Sequence, residues 1–128
     1  MREEDLVRNH GLGFRVHEER YEVALASTSD VVIDAFAVVD YRGERTVVRP
    51  LTHERMAFEG RVYRMISFTG DLPLDMVGFM ALASGAFADR GIPIFVISSY
   101  RTDHVLVSEK DLDGAIDSLE SLGMVQRP

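Results

Sequence analysis

Residues 61–128 constrain the fold most, because strand and helix periodicities alternate there in close succession. Val62 to Phe68 alternates as a strand does, and Leu74 to Arg90 has the apolar spacing of a helix that Gly91 ends. The segments that follow are two strands, a helix and a short strand, at Ile92–Ser99, Val105–Val107, Ser108–Leu122 and Met124–Val125. This order predicts an α+β fold of the ferredoxin-like βαββαβ type.

The first 60 residues predict strands and little helix. Residues 1–20 are highly charged and predict a frayed start with one short strand near Phe14–Val16. The other predicted segments are a strand at Tyr21–Ala26, a turn or helix cap at Ser27–Asp30, about a turn or two of helix at Asp30–Ala35, a hairpin of Ala35–Asp40 with Arg45–Arg49, and a short helix or irregular crossing at His53–Phe58.

The two halves of the chain are predicted to share a sheet or a core, because no linker rich in Gly, Ser or Pro separates them. Each half has a strand, a crossing segment and a hairpin, and the helices are shorter in the first half. This similarity favours a degenerate tandem repeat, with one unit at residues 1–60 and the other at residues 61–128.

Composition excludes several classes of function. The net charge of -7 is spread over both halves, which disfavours a nucleic-acid partner. The chain has no cysteine, so it has no disulfide, no thiolate nucleophile and no Cys-based zinc site. The charged N-terminus and the absence of a long apolar run predict no secretory signal, no membrane association and a cytoplasmic protein.

The loop from Gly70 to Leu74 is a candidate anion site, because it joins a predicted strand to a predicted helix. The free N–H groups of Leu74, Asp75 and Met76 would hold a carboxylate. Asp71 and Asp103 would then receive an ammonium group, which makes a zwitterion site. In the alternative interpretation Asp71 only caps the helix and Asp103 only closes a hairpin.

The remaining polar residues predict no catalysis, no metal and no cofactor. His104 follows Asp103 in a strand, so the two side chains point to opposite faces, and a structural role for His104 is favoured. The other histidines lack metal-ligand spacing, and Ser98-Ser99 lacks the nucleophile elbow of serine hydrolases. An acylphosphatase would need an Asn near a phosphate-binding Arg, whereas the one Asn is Asn9, outside these motifs.

Two segments together resemble an ACT domain of the aspartate kinase type. They are Gly91-Ile92-Pro93-Ile94-Phe95-Val96-Ile97-Ser98-Ser99-Tyr100 and Thr102-Asp103-His104-Val105-Leu106-Val107. The helix from Leu112 to Leu122 and the loop from Gly70 to Leu74 are similar to the second helix and the first loop of that family. Stand-alone tandem ACT proteins, and the related repeats of a cytosolic arginine sensor, share these features. Tyr21 to Leu25 and the hairpin from Phe36 to Val48 are similar to a truncated first ACT unit.

The resemblance implies a regulatory protein that binds an amino acid and performs no reaction. The ligand-binding residues that it implies are Asp71, Leu72, Leu74, Val77, Gly78, Ser98, Thr102 and Asp103. Asp103 would hold the ammonium group of the ligand, or a basic side chain. It also implies a homodimer with two identical sites. The alternative is an interaction module that still pairs, with itself or with a protein partner, but no longer binds a ligand.

Overall fold

The computed structural model describes residues 3–32, 34–52, 56–72 and 77–128, which form three helices and one seven-stranded sheet. The helices are α1 (Glu3–His10), α2 (Phe79–Asp89) and α3 (Leu112–Glu120). The strands are β1 (Gly13–Ser27), β2 (Ala37–Tyr41), β3 (Glu44–Pro50), β4 (Tyr63–Thr69), β5 (Phe95–Ser98), β6 (Asp103–Ser108) and β7 (Val125–Gln126). Single 3₁₀ turns lie at Phe58–Gly60 and Glu109–Asp111. No helix in these ranges is long and apolar enough to cross a bilayer.

The sheet runs in the order β2-β3-β1-β4-β6-β5, and β7 pairs with β1. From β4 to β7 the chain follows the predicted order strand, helix, strand, strand, helix, strand. However, β7 is parallel to β1 and not adjacent to β4, whereas β1 is antiparallel to β4. A strand from the first half of the chain is therefore inserted into the sheet of the second half, and the prediction that the halves share a sheet is confirmed.

The strand β1 is the longest in the sheet and pairs differently along its length. Its residues from Gly13 to Val16 lie against β4, and its residues from Tyr21 to Ser27 lie against β3. The pairing with β4 shifts register between Val16 and Arg20. Such an irregularity bends a strand and increases its twist. Sequence reasoning predicted two separate strands here, because the polar run around Glu18 looks like a break.

The main core lies between the helices and one face of the sheet. All three helices and the strands β1, β4 and β6 contribute to it. Its largest members with little or no exposure are Phe14, Ile66, Phe68, Phe87, Val105, Val107 and Leu119. Leu6 and Val7 of α1 are also buried, so the predicted frayed start is wrong. Packing of these two side chains stabilises a helix that is too short to be stable alone.

A second, smaller core lies on the opposite face of β4 and β6, as the alternation of side chains requires. Met65 and Leu106 belong to it, together with Tyr21 and Val48 from the first half of the chain. The ring of Phe36 meets the ring of His104 edge-on at a centroid distance of 5.0 Å. The bend in β1 thus brings side chains of the first half over the face that the helices leave open.

The predicted hairpin and the predicted end of α2 at Gly91 are confirmed. Tyr41 pairs with Glu44 across a two-residue turn, and Pro50 is the last residue of β3. At the end of α2, Gly91 N–H donates to Ala88 O and Ile92 N–H to Phe87 O, which is the Schellman arrangement. Ser27 and Asp30 form the predicted turn, with Asp30 N–H donating to Ser27 O at 3.0 Å.

Other predicted segments differ from the structure. The described part of Asp30–Ala35 contains no helix. In His53–Phe58, residues 53–55 lie outside the described residues. The helix predicted from Leu74 begins at Phe79, because Gly78 has φ 94°, which a right-handed helix cannot contain. Leu74, Asp75 and Met76 lie outside the described residues.

A buried ion pair joins the centre of β1 to β3. The Glu22 side chain is 1% exposed, and its carboxylate accepts a hydrogen bond from Arg49 Nε at 2.7 Å. The other oxygen accepts from the backbone N–H of Phe58 at 2.9 Å, which fixes the 3₁₀ turn against the sheet. Removal of the charge on Glu22 would leave the Arg49 charge without this partner.

We predict that Glu22→Gln lowers the free energy of unfolding by about 3–5 kcal/mol, as expected when one partner of a buried pair is removed. Asp40→Asn is the matched control, since Asp40 also pairs with an arginine, Arg45, but at the surface. Urea unfolding of both variants measures the difference. Equal, small losses would contradict the importance of the buried pair.

We also predict that Gly70→Ala is destabilising, by about 1–3 kcal/mol. Gly70 has φ 112°, and a Cβ there would lie 2.7 Å from the carbonyl oxygen of Gly11. The same substitution in α2, Gly85→Ala, meets no atom within 4 Å and should stabilise the protein by about 0.5–1 kcal/mol. Thermal unfolding of the two variants should therefore shift in opposite directions.

Candidate functional site

A groove lies between the start of α2 and the turn that joins β5 to β6. Its volume is about 320 Å³, within the usual range for small-molecule sites. Its lining residues are Leu72, Gly78, Phe79, Met80, Ala81, Ser98, Ser99, Tyr100, Arg101, Thr102 and Asp103. Five of the eight predicted ligand-binding residues are among them: Leu72, Gly78, Ser98, Thr102 and Asp103.

Two other predicted residues, Asp71 and Val77, are not in this lining. Asp71 is 82% exposed, and its carboxylate lies 3.9 Å from Nδ1 of His10, towards α1. The Asp71 N–H donates to His10 O, which ties this loop to the end of α1. Val77 is 89% exposed. Leu74 is outside the described residues.

The carboxylate of Asp103 is held at the start of β6. Ser98 and Asp103 are paired across β5 and β6, and Ser98 Oγ donates to Asp103 Oδ1 at 2.6 Å. Thr102 Oγ1 donates to the carbonyl oxygen of Phe68 at the end of β4. These two bonds position a half-buried negative charge on one side of the groove.

Backbone N–H groups lie on the other side of the groove. The helix α2 begins at Phe79, and no side chain of the described residues caps it. The first helical hydrogen bond runs from Leu82 N–H to Gly78 O, so the N–H groups of Phe79, Met80 and Ala81 have no partner within the helix. The helix dipole makes this end favourable for an anion. Sequence reasoning placed the same feature at Leu74–Met76.

Behind the groove, five side chains form a continuous hydrogen-bonded chain. His17 Nε2 lies 2.6 Å from Ser67 Oγ, and Ser67 Oγ lies 2.6 Å from His104 Nδ1. His104 Nε2 lies 2.8 Å from Ser99 Oγ, and Tyr21 Oη lies 3.3 Å from His17 Nδ1. We call these residues (Tyr21, His17, Ser67, His104 and Ser99) the imidazole chain. His104 does not pair with Asp103, as predicted.

Sequence reasoning could not find the imidazole chain, because its members come from four strands or turns. Only the register of β1, β4 and β6 brings Ser67 between His17 and His104. Burial is the main cause that lowers the pKa of both histidines from 6.5. Arg15 lowers both pKa values further and His17 also lowers that of His104, whereas Glu19 and Asp103 raise the pKa of His17 and His104, respectively.

A larger cavity of about 820 Å³ lies at the bend of β1, where Glu18, Arg20, Leu51 and Met56 are among the lining residues. Arg20 is already paired with Glu109 at 2.7 Å, and Glu18 faces solvent. Among its described lining residues, no pair of opposite charges is free to hold a ligand at both ends. Among the described residues, no three His, Asp or Glu side chains come together as a metal site would require.

The sequence of residues 60–121 matches the sequence model of a family described as "ACT domain". Residues 60–121 are therefore similar to an ACT domain. The match covers β4 to α3 and includes the groove-lining residues and both helices that flank β5 and β6. It leaves out β1 and β7, which complete the same sheet.

Solved structures show that the fold extends over both halves of the chain. A protein from Agrobacterium tumefaciens superimposes with a TM-score of 0.73 at 23% identity, over 91% of this chain and 92% of that one. A structure of aspartokinase alpha and beta subunits gives a TM-score of 0.64 at 16% identity, over 87% of this chain and 97% of that one. Aspartokinase III of E. coli, in complex with aspartate and ADP, gives 0.59 at 13% identity, over 87% of this chain but 32% of that one.

We predict that the free energy of unfolding falls as the pH drops below about 6.5. Because the folded state lowers the pKa of His17 and His104, the unfolded chain binds protons first. The stability that the two neutral histidines contribute is therefore fully present above pH 6.5. It is lost progressively as the pH falls to their pKa values in the folded protein. Urea unfolding over this pH range measures the slope.

The double variant His17→Gln with His104→Gln should have a shallower slope, because glutamine does not titrate. An equal slope in the double variant and in the unmodified protein would show that these histidines do not govern acid stability.

Proposed function

We propose that this protein is a non-catalytic regulatory module that binds a free amino acid in the groove between α2 and the β5–β6 turn. One observation carries the proposal: the Asp103 carboxylate and the uncapped N–H groups of α2 line the same groove from opposite sides. A zwitterionic ligand would meet a complementary charge at each end.

The carboxylate of the ligand would accept hydrogen bonds from the N–H groups of Phe79 to Ala81, where the helix dipole favours an anion. Its ammonium group would donate to Asp103, in a charge-assisted hydrogen bond. Ser98 would keep the Asp103 carboxylate in position, as it does in the structure. Leu72 and Met80 supply apolar surface for the side chain of the ligand. Leu74 remains part of the proposed site on the strength of the family resemblance alone.

The ACT family and the aspartokinase structures support a regulatory role rather than a catalytic one. The E. coli aspartokinase III structure is described as a complex with aspartate, so a protein that contains this fold binds an amino acid. We propose also that residues 1–60 are a truncated first ACT unit. The extent of the structural matches, which cover both halves, supports this arrangement.

We predict that one or a few amino acids at millimolar concentration raise the melting temperature. A ligand at a hundred times its Kd adds about 2.7 kcal/mol to the free energy of unfolding. Screening all twenty amino acids by thermal shift at one neutral pH identifies the ligand. A screen without any shift would contradict amino-acid binding.

Asp103→Asn should weaken the binding of that amino acid by about 1.5–3 kcal/mol, roughly tenfold to a hundredfold in Kd. The variant keeps an oxygen that can accept from Ser98, so the turn should be preserved. Asp71→Asn is the matched control, because Asp71 is an exposed aspartate outside the groove lining, and its Kd should be unchanged. Calorimetric titration compares the three proteins.

The second candidate is an interaction module, either a homodimer or a complex with another protein, that has lost ligand binding. Two edge strands favour it, since β2 and β5 end the sheet and carry the exposed apolar residues Val38, Val39, Tyr41 and Val96. This module would be dimeric by light scattering and would not respond to the amino-acid screen. A dimer that also responds would fit the first candidate, with two sites related by twofold symmetry.

A further inference from the structure

Two of the described residues that line the groove carry a charged side chain, and their charges are opposite. Asp103 lies at the start of β6 and accepts a hydrogen bond from Ser98 Oγ. Arg101 lies two residues earlier, in the turn between β5 and β6. Its guanidinium forms no hydrogen bond or ion pair with any described residue. The groove therefore contains a cation that the proposed contacts of a neutral amino acid do not use.

The turn holds the backbone of Arg101 in place. Ser99 N–H donates to Thr102 O at 2.9 Å, so Tyr100 and Arg101 form the two-residue tip of the turn. Thr102 Oγ1 donates to Phe68 O at 2.9 Å, which fastens the turn to the end of β4. Arg101 itself is exposed, so a ligand reaches its guanidinium without displacing a protein partner.

The position of Arg101 separates it from an ordinary surface arginine. Most arginines are exposed, so an exposed arginine at the tip of a turn is by itself no sign of a binding site. Arg101, however, borders a groove of about 320 Å³ that has a carboxylate and the start of a helix among its other walls. The planar guanidinium matches a carboxylate, to which it donates two parallel hydrogen bonds.

The groove offers two positions for negative charge and one for positive charge. The positions for negative charge are the N–H groups of Phe79 to Ala81 and the guanidinium of Arg101, and the position for positive charge is Asp103. A neutral amino acid fills one position of each sign and leaves Arg101 without a partner. An acidic amino acid has two carboxylates and one ammonium group, so it fills all three positions.

A basic amino acid has the opposite distribution of charge. Its first ammonium group would occupy Asp103, and its second cation would then lie in the same groove as Arg101. Like charges at short range repel each other, which disfavours this ligand. Among the described residues of the lining, no second carboxylate offsets the repulsion.

We infer that Arg101 binds the second carboxylate of the ligand and makes the groove selective for an acidic amino acid, aspartate or glutamate. This inference rests on the proposed function, because the start of α2 and Asp103 hold the first carboxylate and the ammonium group as proposed there. If the two carboxylates exchange places between α2 and Arg101, the same three contacts form. The selectivity therefore does not depend on their order.

The charge of the whole chain acts against this preference. With a net charge of -7, the protein repels an anion at long range. A measured preference for an acid over its neutral amide would therefore come from a local cation, and Arg101 is the cation in the described lining.

The test is a calorimetric titration of the unmodified protein with glutamate and glutamine, and with aspartate and asparagine, at neutral pH and low salt. The members of each pair have nearly the same shape and differ in one charge. We expect at least one acid to bind about fivefold to tenfold more tightly than its amide, as one charge-assisted contact at an exposed arginine would give. Equal binding of acid and amide in both pairs, or tighter binding of the amide, would overturn the inference.

Variants of Arg101 show whether this residue causes the preference. Arg101→Gln should bring the Kd of the acid close to that of the amide, whereas Arg101→Lys keeps a charge and should keep part of the preference. The ratio of the two Kd values is the readout, because damage to the fold would weaken both ligands together. Arg42→Gln is the matched control and should keep the ratio, since Arg42 is an exposed arginine in the β2–β3 turn that lies over the Tyr41 ring. An unchanged ratio in Arg101→Gln would contradict the role of Arg101.

The outcomes separate this inference from the proposed function. If the screen finds a neutral or basic amino acid and neither acid binds, amino-acid binding stands and the selectivity for acids is wrong. Asp103→Asn should weaken the acid and the amide alike, because both ligands have the same ammonium group. If none of the twenty amino acids binds, both the proposed function and this inference are wrong.

Discussion

The structure depends on one strand that belongs to two parts of the sheet. The first residues of β1 lie between β7 and β4, and its last residues pair with β3. A Cβ on Gly13 would lie 2.6 Å from the Val125 carbonyl oxygen, so the strands meet there with no room for a side chain. The shift in register after Val16 then bends the strand. Both cores, the helix-covered one and the one that Phe36 and Tyr21 close, follow from this bend.

This geometry places two different environments on the two sides of β6. The Asp103 side chain lines the groove, whereas the His104 ring lies against Phe36 at the second core. Consecutive residues in a strand alternate faces, so one dipeptide connects an open site to a buried polar chain.

The sequence predicted the elements whose signals are local, in both halves of the chain. The Schellman end of α2 depends on Gly91 and its neighbours, and the hairpin of β2 and β3 depends on a two-residue turn. What the sequence did not predict depends on pairing at long range. The helix α1 is stabilised by burial of Leu6 and Val7 against distant residues, and β1 looked like two strands because its bend is polar.

The candidate site also combines residues that local signals predict with contacts that depend on long-range pairing. The turn that carries Asp103 follows from the local pattern of two strands, whereas Ser98 and Thr102 were implied by the family resemblance. The start of α2 was placed too early, because the apolar spacing continues through Val77 and Gly78 although the backbone of Gly78 is left-handed. The contact between Ser67 and His104 requires the register of β4 against β6, which no local signal encodes.

Because β1 is inserted into the sheet, the segment that the family model matches differs from the segment that folds around a complete core. Residues 60–121, which the family match covers, contain five of the six successive helices and strands from β4 to β7 in complete form. However, the edge of β4 that faces β1 would be bare without residues 13–21. Phe14, which has no exposed surface, would leave an apolar gap against Ile66 and Phe68. The recognisable segment is thus shorter than the segment that can bury its own core. Anyone who trims this protein to its recognisable part would produce an open sheet edge, which invites association with other chains.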